Sequence, residues 1–164
     1  MALHKNRSAY LATMGLFCAL VFAATFFLRI PAPTGYINLG DSVILLAALW
    51  MGTSAIIPAA AGSALADLFS YPLYAPATLV LKALMALCAV ALMRATKGGR
   101  AGRLIAFCAA ELIMIAGYFL YDCLMFHLAG ALVNLPGNIV QAAAGVILGF
   151  MLTLIPNPLS QKSL

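Results

Sequence analysis

Long apolar runs separated by short polar breaks organise this chain. The first run covers residues 9–28, close to the roughly 20 residues needed to cross a bilayer as a helix. Arg29 and Pro31 end it, and the turn formers of residues 31–40 follow. The next uncharged stretch, residues 42–66, reads either as one long helix or as two short ones broken at Met51-Gly52-Thr53. The fourth span is expected at 77–93, the fifth at 104–126 and the sixth at 137–155, where Pro156 and Pro158 stop it. Residues 70–76 and 127–136 would form outer loops.

Charge decides between one helix and two over residues 37–69. Lys5 and Arg7 precede the first run, Arg94, Lys97, Arg100 and Arg103 bracket a mid-chain turn, and Lys162 lies near the end. Basic residues in short loops stay on the cytoplasmic side. The first end, the middle turn and the last end should therefore share one side, which requires an even number of crossings between them. Two helices, over residues 37–51 and 53–69, satisfy this. The first of these is only about 22 Å long at 1.5 Å per residue, so its neighbours must shield it. The expected architecture is an all-α integral membrane protein: one domain over residues 1–164, six transmembrane helices, both ends cytoplasmic.

Composition supports that class. Of the 164 residues, 65% are hydrophobic and 8% charged, far from the balance of a soluble domain. The net charge of +5 belongs to the cytoplasmic edge and implies no nucleic-acid partner. The first run is too long for a signal-peptide core, has no convincing cleavage site and is expected to remain in the mature protein. Cys18, Cys88, Cys108 and Cys123 are scattered in apolar runs without a CxxC pair and read as packing residues.

Small residues mark close helix contacts. Gly15, Ala19 and Ala23 recur every four residues on the first helix, a stripe along which another backbone can approach. Gly145 and Gly149 do the same on the sixth, and residues 59–64 of the third are small on every side. Such stripes serve internal packing or a partner protein.

The polar residues within the runs are few. Lys82 should lie about 8 Å below the outer surface, and Asp122 about 27 Å from the inner one, so the two share a depth in a core of about 30 Å. Tyr118 and Asp122 share a helical face with Glu111. Asn138 and Gln141 open the sixth helix at the same level, and Asn134 shares their spacing. Ionisable groups in hydrocarbon are costly unless they face one another, water or a ligand. Convergence of these side chains suggests an outward-facing polar cavity; a Lys82–Asp122 ion pair with bridging amides is the alternative. Asp41 and Asp67 read as helix caps or loop anchors. Tyr36 and Asn38 in the first outer loop, and Tyr71 and Tyr74 in the second, lie over the cavity or form an interfacial belt.

Several functions lack their motifs. There is no P-loop, so ATP binding by that route is excluded. There is no HExxH, and His4 and His127 stand apart from other metal ligands. No GxSxG elbow occurs. A small channel, a self-sufficient solute carrier and a membrane enzyme remain as other classes.

Taken in order, Ala19-x-x-x-Ala23, Gly35-Tyr-Ile-Asn-Leu-Gly-Asp41, Gly62-Ser-Ala-Leu-Ala-Asp67, Tyr74-Ala-Pro-Ala-Thr-Leu-x-x-Lys82, residues 111–122 and Pro136-Gly-Asn-Ile-Val-Gln141 resemble the substrate-binding S components of energy-coupling factor (ECF) vitamin transporters. The resemblance is nearest to the branch with riboflavin, hydroxymethylpyrimidine, pantothenate and vitamin B6 members. It implies a six-helix protein of the prokaryotic plasma membrane that binds a vitamin or precursor near the outer surface and carries it inward. It implies no cofactor and no enzymatic activity in this chain; ATP hydrolysis belongs to two separate ABC ATPases, joined through a membrane T component. The substrate-binding residues expected are Tyr36, Asn38, Tyr74, Lys82, Tyr118, Asp122, Asn138 and Gln141. Gly15, Ala19 and Ala23 would dock on the T component. One departure is Asp122, where many relatives carry Glu.

Overall fold

The computed structural model describes residues 7–32, 35–157 and 159. Lys5, His4, Pro158 and Lys162 lie outside the described residues. Helix α1 (Arg7–Phe26) is followed by an antiparallel hairpin of β1 (Arg29–Ala32) and β2 (Gly35–Asn38), then α2 (Gly40–Met51), α3 (Ile56–Ser70), α4 (Ala75–Ala95) and α5 (Arg100–Leu152). Four helical segments are long and apolar enough to span a membrane: Arg7–Phe26, Gly40–Ser70, Pro72–Ala95 and Arg100–Leu152. The chain is an all-α membrane protein with one small hairpin.

Two of the four segments are interrupted. Between α2 and α3, Gly52 takes a positive φ of 60°, a conformation cheap for glycine, and a 3-10 turn at Gly52–Ala55 restarts the helix. The break at Met51-Gly52-Thr53 is thus real. In α5, His127 has φ 60° and ψ 179° and divides the helix into arms 100–126 and 128–152. These arms are about 40 Å and 37 Å long at 1.5 Å per residue, each enough for one crossing of the hydrocarbon core.

Two expected loops are corrected. Residues 127–136 do not form a loop: helix resumes directly after His127, with Pro136 inside it. A single residue with left-handed φ reverses the local path, and the run Leu128-Ala-Gly-Ala-Leu-Val133 resumes helix at once despite the turn formers Pro136 and Gly137 beyond it. Helix α2 begins at Gly40 rather than at residue 37, because Ile37 and Asn38 pair with Ile30 and Arg29 in the hairpin. Asn38 Oδ1 then accepts the Gly40 amide at 2.9 Å, which satisfies one free donor of the helix start.

The short α2 sits at the centre, against α1, α4 and α5. Nine of its twelve residues are buried, which supplies the shielding its length demands. Small residues allow the close approaches. A Cβ on Gly62 of α3 would lie 2.6 Å from the Cys18 carbonyl oxygen of α1. One on Gly149 would lie 3.1 Å from Leu45 Cδ1. By contrast, a Cβ on Gly15 would meet nothing within 4 Å. Ala19 is exposed and Ala23 half-buried, so that stripe faces away from the bundle.

The two ends of the bundle differ. At one end Tyr10 donates to Ser54 at 3.1 Å, and Arg94 approaches Gly52. The turn after α4, with Lys97 and Gly98 at positive φ, gathers the basic residues there. The hairpin, the Pro72–Tyr74 turn and the Asp122–Asn134 contact around the His127 break collect at the other end.

Candidate functional site: a polar cavity beneath the hairpin

At the hairpin end, side chains from β2, α3, the turn before α4 and both arms of α5 line a cavity of about 60 Å³. This is room for a few waters; a larger guest requires the walls to move. Tyr36, Ile37 and Asn38 come from the hairpin, Asp67 from the end of α3, and Tyr71 and Tyr74 from the following turn. Tyr118 and Asp122 come from the first arm of α5, and Asn134, Gly137, Asn138 and Gln141 from the second.

Three hydrogen-bonded groups build the walls. In the first, Tyr36 and Thr78 each donate a hydroxyl to a different oxygen of Asp67. Thr78 is also 2.7 Å from the Tyr118 hydroxyl. Burial, and then the adjacent Asp67 carboxylate, push the Tyr36 phenol above its ordinary range, so it remains a donor. In the second, Tyr74 donates to Asp122 Oδ1 at 2.6 Å and Asn134 Nδ2 to Asp122 Oδ2 at 2.9 Å. In the third, Gln141 Nε2 donates to Asp41 Oδ2 at 2.7 Å, while its Oε1 accepts from the Asn38 amide at 3.0 Å and from Nδ2 at 3.2 Å. The hairpin is thereby tied to the second arm of α5. Rings complete the lining: Tyr74 packs 6.1 Å from Tyr118 and 5.9 Å from Tyr71, centroid to centroid.

Lys82 was expected among the cavity's substrate-binding residues, with a Lys82–Asp122 ion pair as the alternative, and neither describes its position. Lys82 Nζ bonds Asp41, both side chains at least 98% buried, and does not line the cavity. The hairpin consumes residues that were expected to be loop, so Asp41 enters the bundle in the first turn of α2 instead of capping it at the surface. Lys82 also lies 5.4 Å from the Tyr118 ring centre. Asp122 is left to Tyr74 and to Asn134, which the resumed helix after His127 brings back to face it.

Of the other residues singled out in the sequence, Tyr36, Asn38, Tyr74, Tyr118, Asp122, Asn138 and Gln141 meet at this cavity. Asp67 was read as a cap and is instead a cavity wall. Thr78 was not singled out, and Tyr71, read as lying over the cavity or in an interfacial belt, lines the wall. Asn134 carried the signal, since it shares a helical face with Asn138 and Gln141. Glu111 lies deeper, buried, with no hydrogen-bond partner for either carboxylate oxygen among the described residues.

Residues 5–157 match the family described as the ECF-type riboflavin transporter, S component. The chain belongs to this family. A related protein of Pyrococcus woesei, described as an uncharacterized protein in the gap 3' region, is 33% identical over 133 residues, covering 79% of this chain and 88% of the relative. S components are the substrate-binding parts of vitamin transporters, not enzymes, and reside in membranes. The apolar surface of this S component fits that setting. Leu16, Leu124 and Ile147, for example, are each more than half exposed, which suits hydrocarbon and not water.

Proposed function

We propose that this S component captures a water-soluble vitamin or vitamin precursor in the cavity beneath the hairpin, and delivers it inward as part of an ECF-type ABC importer. The observation that carries the reading is the convergence of Tyr36, Tyr74, Tyr118, Asn138 and Gln141 on one cavity at one end of a largely apolar bundle. Polar groups at such depth are costly without a partner. Asn138 lines the space with no hydrogen bond of its own among the described residues. Riboflavin is the vitamin in the family description and is the first ligand to try.

In this reading the chain crosses the membrane six times. The breaks at Gly52 and His127 divide two of the four apolar segments, and both ends then lie with the basic turn on the cytoplasmic side. The T component docks on the Gly15, Ala19 and Ala23 stripe, which has no neighbour along much of its length. The two ATPases act through the T component. Native mass spectrometry of the protein purified in mild detergent tests ligand capture. A bound small molecule of vitamin size is expected. Protein that is folded yet binds neither a co-purified molecule nor added riboflavin, thiamine or a vitamin B6 form contradicts the proposal.

A further inference from the structure

All four acidic residues of the chain lie inside the bundle, where Lys82 is the one buried base among the described residues. Asp41, Asp67, Glu111 and Asp122 are each at least 94% buried. Lys82 is 98% buried and is committed to Asp41. That pair cancels, and Asp67 and Asp122 remain as uncompensated acids in the cavity wall. Every oxygen of these two carboxyl groups accepts a hydrogen bond, from Tyr36, Thr78, Tyr74 and Asn134. Three of these four partners are hydroxyls, which donate or accept, so the contacts hold either carboxyl with or without its proton, and a cation placed against them favours the ionised form. Among the described residues no Lys or Arg lines the cavity. The nearby Arg29 is exposed, with its guanidinium 5.5 Å from the centre of the Tyr36 ring, at the rim, where solvent weakens its field. Tyr36, Tyr71, Tyr74 and Tyr118 also line the cavity, and the faces of such rings favour a cation.

We infer that the cavity selects a heteroaromatic ligand carrying a positive charge, with that charge facing Asp67 and Asp122 and its ring against the tyrosines, and that it rejects ligands bearing phosphate or carboxylate groups. The inference rests on the vitamin-capture reading and sharpens it. An anion would meet two carboxyl groups and no basic side chain on the wall at low dielectric. A cation would supply the missing charge.

Equilibrium titration of the purified protein with ligands graded by charge tests this. Thiamine and pyridoxamine are the cations, riboflavin and pyridoxine the neutral compounds, and flavin mononucleotide and pyridoxal phosphate the anions. A cation is expected to bind tightest, at least ten-fold above any neutral or anionic compound. Asp122→Asn and Asp67→Asn should each weaken it by about ten-fold or more. Asn138→Asp places a third carboxylate on the wall at a side chain with no hydrogen bond to lose. It should tighten cation binding, and it keeps the test open if either Asn variant fails to fold. Tightest binding of a neutral or anionic compound, or an unchanged cation affinity in Asp122→Asn and Asn138→Asp, overturns the charge selection and leaves vitamin capture standing. No binding by any of the six overturns both.

Discussion

Lys82 has a structural task at the residue scale. Its ammonium is the counter-charge that allows Asp41 to sit in the first turn of a buried helix, and Asp41 in turn orients Gln141. Removing one partner of a buried ion pair leaves an uncompensated charge and costs about 3–5 kcal/mol. Lys82→Met is therefore expected to lower the thermal unfolding midpoint strongly in detergent. Combining it with Asp41→Leu should recover part of the loss, because two apolar groups need no counter-charge. An unchanged midpoint in Lys82→Met would show that the pair is not structural. Asn138 behaves differently, because its amide has no internal partner to lose. Asn138→Ala should leave stability within about 0.5 kcal/mol while weakening ligand binding by about 1–3 kcal/mol, roughly five- to a hundred-fold. Titration and thermal unfolding of the same preparation separate the two effects.

At the element scale, small residues set the distances between helices. Gly62 brings α3 against the backbone of α1, where even a methyl group would lie 2.9 Å from Val21 Cβ. Gly62→Val should cost about 1–3 kcal/mol through overpacking. Gly15→Ala on the outer stripe should be neutral or slightly stabilising, since its Cβ would meet no neighbour and alanine favours helix over glycine. Equal midpoints for the two variants would contradict this packing. The elements themselves were largely legible in the sequence. Apolar run length gave the helices, and parity of the basic clusters gave the break at Gly52. The hairpin and the helical path after His127 were not legible. Residues 29–38 carry turn formers that read as loop, and nothing marks His127 as a one-residue break. Those two misread elements also explain the misassigned charge. Asp41 reaches Lys82 because the hairpin displaces the start of α2, and Asn134 reaches Asp122 because no loop intervenes. The cavity was easier to read than its wiring, because polar residues are so few in the apolar runs that shared depth and helical face nearly suffice to group them.

At the scale of the whole molecule, the bundle has a polar cavity at one end, basic residues at the other and an outward stripe of small residues. The basic end should face the cytoplasm. A cysteine at Gly99, in a variant lacking the four native cysteines, is expected to stay unlabelled by an impermeant thiol reagent applied to intact cells. Labelling from outside would reverse the orientation. The stripe should serve assembly. Ala19→Leu with Ala23→Leu is expected to retain ligand binding and lose co-purification with the T component, because close helix approach requires small side chains. The central claim is that the cavity beneath the hairpin holds the transported vitamin. Gly137 lines it, and a Cβ there would meet only Ile37, at 3.5 Å, so Gly137→Phe should place a ring in the space without disturbing the helix packing. The most direct measurement is equilibrium titration of wild type and Gly137→Phe side by side, with the small molecule that the wild-type protein carries through purification. The account predicts saturable one-to-one binding to the wild type and at least a hundred-fold loss in a folded Gly137→Phe protein. Equal affinity in the two would place the ligand elsewhere and contradict it.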